Sequence, residues 1–105
     1  MPEIEILHWD DTKDGHLSAS ALEQKLQKMG YETHVYHYPP GTVFNEHKHS
    51  VDKIDGVVSG RFEIGIYGQS VVLEKGDCVK VPKGVVHWAK VIGNETVVSV
   101  DAERW

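Results

Sequence analysis

From Tyr31 onward, apolar and polar residues alternate in short runs, each closed by glycine, proline or an acidic turn. The run THVYHY mixes β-branched and aromatic residues and stops at Pro39-Pro40-Gly41, a strong breaker. Further strands are predicted at Lys53–Ser59, Arg61–Tyr67, Ser70–Glu74, Cys78–Val81, His87–Ile92 and Thr96–Asp101. Between them lie Ser59-Gly60, Gly68-Gln69, Lys75-Gly76-Asp77, Lys83-Gly84 and Gly93-Asn94, each a turn or bulge signal. Short strands at this spacing, with no helical period between them, predict an all-β antiparallel sandwich or barrel rather than βαβ units. No internal repeat or low-complexity segment interrupts the pattern.

The first thirty residues read differently. A short apolar strand is predicted at Ile4–Leu7, followed by turn chemistry in 10-DDTKDG-15. One helix follows, with Ala19, Leu22, Leu26 and Met29 on a single face, Ser20 and Glu23 as a capping box, and Gly30 as the C-terminal cap. Residues 1–30 are therefore expected to form an extension whose helix packs on a barrel built by residues 31–105, one domain overall. A chain of 105 residues has room for one core.

Composition narrows the function classes. The net charge is −5 and no basic block occurs, which argues against nucleic acid or an anionic membrane surface as partner. No apolar run approaches the roughly 20 residues that span a bilayer. The N-terminal stretch lacks the basic and apolar regions of a secretory signal, and Cys78 is the only cysteine, so no intrachain disulfide forms and the cytoplasm is the expected location. Cys78 is expected to be a small core residue.

Seven histidines are many for this length, and they supply the candidate chemistry. His47-Lys48-His49 alone is a weak signal, since paired surface histidines are common. A second segment, 76-GDCVKVPKGVVH-87, gives it context: Gly76 and Asp77 turn the chain, Val79 and Val81 alternate as in a half-buried strand, and Pro82 with Gly84 places His87 at the start of the next strand. Together the two segments resemble the cupin family. Its first motif is matched by Gly41, His47, His49 and Gly60, and its second by Gly76, Pro82, Gly84 and His87, with Val91 at the position of the motif's asparagine. The resemblance covers about Tyr31 to Asp101 and implies a double-stranded β-helix, a jelly-roll barrel with its site in the mouth. It also implies a homodimer formed through edge strands.

Residues two apart on a strand share a side, so His47 and His49 can aim into one barrel, where strand pairing would bring His87 beside them. Three neutral imidazoles suit a divalent transition metal: Fe, Mn, Ni, Cu or Zn. The family's glutamate ligand falls at Lys53, which leaves three readings open. The three histidines hold the metal alone, or Asp52 or Asp55 supplies a carboxylate, or the metal is lost and Lys53 with Asp55 forms a polar pocket. A buried Lys53 would need a partner. Lys53 and Asp55 are the candidate substrate-binding residues.

Of the other histidines, His34 and His37 have opposite parity and are expected to be structural or exposed, while His8 and His16 are expected to be solvated. Tyr36, Tyr38, Tyr67 and Trp88 could line the mouth, Trp88 being the leading pocket candidate. No nucleophilic triad is discernible. The expected function is a metal-binding cupin, as a metal-dependent enzyme of dioxygenase or isomerase type acting on a small organic molecule. The alternatives are a non-catalytic small-ligand sensor and a structural dimer scaffold with a vestigial site.

Overall fold

A computed structural model describes residues 2–105. The chain runs β1 (Ile6–His8), α1 (Asp11–Asp14), α2 (Ala19–Lys28), β2 (Glu32–Tyr38), β3 (Val43–His47) and β4 (Asp52–Ser59). It continues through β5 (Arg61–Ile66), β6 (Gln69–Leu73), β7 (Asp77–Val81), β8 (His87–Ile92) and β9 (Val97–Arg104). The strands form two antiparallel sheets, a larger one ordered β1-β7-β4-β9-β2 and a smaller one ordered β3-β8-β5-β6.

The expected antiparallel jelly-roll architecture is present, with differences at the element ends. Strand β3 was not marked by the sequence pattern, because VFNEH carries too little apolar alternation to stand out. The expected turn at 10–15 contains a short helix, with Asp10 as N-cap accepting from the Thr12 amide at 2.9 Å. The cap of α2 is Ser18, not Ser20: its Oγ accepts from the Ala21 amide at 3.0 Å. Ser20 lies inside the first turn, and Glu23 accepts instead from the Thr33 hydroxyl at 2.7 Å. Gly30 closes the helix as expected, in the left-handed region at φ 95°. The β5–β6 hairpin turns on Tyr67 and Gly68, both left-handed at φ 58° and 71°, the backbone that a two-residue hairpin consistent with the strand twist requires.

Strand β4 is covered on both faces, and its alternation decides what the site contains. Ile54 points to the outer face of the larger sheet, where it joins Val100, Ala102, Cys78 and the helix residues Leu22 and Leu26 in one cluster. Leu22 and Leu26 are each 1% exposed, and burying a leucine is worth about 1.5–3 kcal/mol, so the helix is held by packing rather than by its own propensity. Gly56 permits that close approach: a Cβ there would lie 2.9 Å from both Leu22 Cδ2 and Cys78 Sγ. Cys78 is a buried core residue as expected, its thiol pushed up to about 12 by burial.

The inner face of β4 carries Lys53, Asp55 and Val57. Val57 belongs to the core between the sheets, with Val79, Val81 and Val97 from the larger sheet and Phe62, Ile64, Leu73 and Val91 from the smaller one. Towards Lys53 this apolar filling gives way to a cavity lined by both charged and aromatic side chains. No helix among the described residues is long and apolar enough to cross a membrane.

Candidate metal centre and the cavity around it

His47 and His87 stand directly opposite each other on β3 and β8. The register between these strands slips by one residue between Phe44 and His47. That bulge turns both Asn45 and Glu46 outward and lets Phe44 and His47, three residues apart, line the same cavity. His49 lies just past the end of β3 rather than on it. Its carbonyl accepts from the Gly84 amide at 2.9 Å, and the Asp52 carboxylate accepts from the Lys83 amide at 2.9 Å. The loop after His47 is thus tied to the Pro82-Lys83-Gly84 turn, which joins the two sequence segments in space.

The potential ligand atoms of His47, His49 and His87 all lie within 4.8 Å of one another, the one such group among the described residues. His47 Nδ1 is 2.7 Å from the Asn45 carbonyl, and His87 Nδ1 is 3.0 Å from the Val85 carbonyl. A carbonyl only accepts, so each Nδ1 carries the proton and each Nε2 keeps its lone pair for a ligand. Burial lowers the pKa of His49, and the Lys53, His87 and His47 charges lower it further. Burial also lowers the pKa of His87, against its bond to Val85. Neutral rings with the lone pairs free are the state a metal ion requires. Three imidazoles without a carboxylate fit a divalent transition metal, and the geometry places no preference among Fe, Mn, Ni, Cu and Zn.

No carboxylate joins this cluster. Asp52 is occupied by the Lys83 amide, while Asp55 lines the cavity on the facing sheet. The cavity holds about 160 Å³ between His47, His87, Phe44, Phe62 and Ala89 on one side and Lys53, Asp55, Ser99, Asp101 and Tyr38 on the other, with His49 at its edge. Lys53 is 5% exposed and points into this space. Its partners are on β9: the ammonium is ion-paired with Asp101 and lies 3.5 Å from Glu103. Asp101 Oδ1 is buried and makes no well-directed hydrogen bond; the ion pair with Lys53 holds it. Desolvation pulls the Lys53 pKa down, but Asp101, then Asp55 and Glu103, outweigh it, and the ammonium is stabilised above its ordinary value. Burial, then Asp101, pushes the Asp55 carboxyl up to about 7. Burial and the same two carboxylates hold the Tyr38 phenol well above its usual range.

Sequence reasoning did not find Asp101 and Glu103. They sit on the last strand, which was predicted to end at Asp101, and nothing local ties them to Lys53 or Asp55. Tyr38 does line the cavity. Trp88 does not: its parity is opposite to His87, and its indole lies against Gly65, where a Cβ would overlap the ring, on the outer face of the smaller sheet. His34 and His37 are exposed, and His8 pairs with Asp77 at 2.8 Å on the surface.

A family model described as "Cupin domain" matches residues 34–103. Among solved structures, KdgF from Halomonas sp. is 25% identical, with a TM-score of 0.63 over 71% of this chain and 69% of that one. A cupin-2 domain containing protein from Shewanella frigidimarina is 24% identical, with a TM-score of 0.61 over 71% of each chain. DMSP lyase DddQ from Ruegeria pomeroyi is 22% identical, with a TM-score of 0.65 over 71% of this chain and 38% of that one, a likeness of fold. No curated protein matches the sequence significantly.

Proposed function

We propose a function from one established premise: the chain belongs to the cupin domain family. On that fold, we read it as a metal-dependent enzyme acting on a small organic molecule. His47, His49 and His87, which line the cavity, would hold the divalent metal. The observation that carries this reading is the convergence of three imidazoles within 4.8 Å, two of them fixed through Nδ1 by backbone carbonyls. When bound, the metal supplies a Lewis acid for an oxygen of the ligand. A cavity of about 160 Å³, smaller than a drug-sized cleft, limits that ligand to a compact molecule. Lys53 and Asp55 form the wall it meets on the facing sheet.

Metal content of untagged protein, measured by mass spectrometry, tests the reading. The expected result is about one transition-metal ion per chain, lost in His47→Ala and His87→Ala. Wild-type protein that is purified without metal and takes up none of Fe, Mn, Ni, Cu or Zn in calorimetry would remove it.

A further inference from the structure

The wall facing the histidines holds more carboxylates than its single cation can neutralise. Asp55 on β4 is the register partner of Asp101 on β9, and Lys53 is the partner of Glu103. Directly opposed residues on a sheet face have Cβ atoms roughly 5 Å apart, and like charges placed there repel. Lys53 engages Asp101 and Glu103. Glu103, with a third of its side chain exposed, is also solvated by water. Asp55 is left facing Asp101 on a half-buried wall, where the nearness of two carboxylates disfavours ionising both. Among the described residues, the other elements contribute no further positive charge. His34 on β2 is the partner of Asp101 but is exposed, Tyr38 stays a neutral phenol, and β7 presents the apolar Val79 opposite Asp55. The smaller sheet and its loop present His47, His87 and His49.

We propose that Asp55 and Asp101 share one proton and form the acid–base pair of this cavity, acting on a small uncharged carbonyl compound that carries hydrogen on the adjacent carbon. The proposal rests on the metal-dependent reading above and adds to it the substrate class and the proton-transferring residues. Uncharged substrates follow from Lys53: among the described residues it is the one ammonium lining the cavity and it is already paired, so it is not left for a phosphate or carboxylate. Phe44, Phe62 and Tyr38 give the ligand an apolar flank. The placement of Asp55 near neutrality suits proton transfer in both directions.

In the step itself, the ionised carboxylate takes the proton from the carbon beside C=O. The C–H electron pair becomes the C=C bond, the carbonyl π pair moves onto oxygen, and the proton held by the other carboxyl goes to that oxygen, giving an enol. The pair then returns a proton to carbon. Return to the same carbon exchanges hydrogen with solvent, and in a hydroxycarbonyl compound return to the former carbonyl carbon, while the neighbouring hydroxyl gives its proton to the ionised carboxylate, shifts the carbonyl by one position. Neither outcome consumes an oxidant or a second substrate.

Two measurements test the pair. The first is a ¹³C-carboxyl NMR titration of metal-free protein, in which one member of the pair is expected to titrate below pH 5 and the other near neutrality. The second is deuterium incorporation from D₂O into dihydroxyacetone by metal-loaded protein. Asp55→Asn and Asp101→Asn are expected to slow it at least about 100-fold while metal affinity stays within about threefold. Both carboxyls titrating below pH 5, variants exchanging within about threefold of wild type, or metal-bound wild type without exchange each overturn the proposal. A split titration in protein that binds no metal supports the pair and removes the metal reading instead.

Discussion

Replacing Lys53 with methionine removes the one cation from the charged wall and keeps most of the side-chain length. The Lys53 side chain is 5% exposed and its partners Asp101 and Glu103 are 18% and 33% exposed, so the network is shielded on one side and wetted on the other. Breaking a fully buried ion pair by removing one partner costs about 3–5 kcal/mol; the partial exposure of Glu103 favours the lower figure, about 3 kcal/mol at pH 8. The loss is expected to depend on pH. Without the ammonium, whose charge holds it down, the folded-state pKa of Asp55 rises further above its unfolded value near 3.9. The folded variant then binds more protons than the unfolded chain from about pH 4 to 8. Its stability is therefore retained at low pH and lost as pH climbs, by at most about 1.4 kcal/mol per unit for each extra proton. Urea unfolding followed by tryptophan fluorescence at pH 5 and pH 8 reads both quantities. The expected deficit relative to wild type is about 3 kcal/mol at pH 8 and less than half of that at pH 5. A deficit below about 1 kcal/mol that is the same at both values would show that Lys53 is not the counter-ion of these carboxylates.

Two further substitutions test how the scaffold holds the site. Leu22→Ala empties a position that is 1% exposed beneath the helix and is expected to cost about 2–5 kcal/mol in urea unfolding, with metal binding by the folded fraction unchanged. Gly65→Ala drives a methyl into the Trp88 indole and is expected to destabilise by about 1–3 kcal/mol with an altered near-ultraviolet circular dichroism spectrum; an unchanged spectrum would mean that the ring does not rest on Gly65.

Much of the fold was legible because its signals are local. Glycine-marked turns and two-residue alternation place the β strands after β3 to within one or two residues at their starts. Helix α2 is recognisable from Leu22 and Leu26 alone, although its cap was misplaced by two residues because Ser18 and Ser20 are equally suited as acceptors. Strand β3 was missed because its polar outer face, lengthened by a bulge at Asn45 and Glu46, hides the alternation that marks a strand. The same bulge aligns Phe44 with His47, a coincidence of facing that sequence parity forbids.

His47, His49 and His87 could be named from the sequence because, together with Gly41, Gly76, Pro82 and Gly84, they match the two cupin motifs. The sequence also showed that Lys53 stands where a carboxylate ligand was expected, and that a buried lysine there would need a partner. Which partner was decided by tertiary structure. Asp101 and Glu103 lie about fifty residues away and meet Lys53 and Asp55 only because β9 pairs with β4 in that register. A one-residue slip would have turned Asp101 and Glu103 to the helix face and left Lys53 uncompensated. Candidate ligands are marked by local chemistry, whereas the charge balance of a cavity depends on which strands lie side by side.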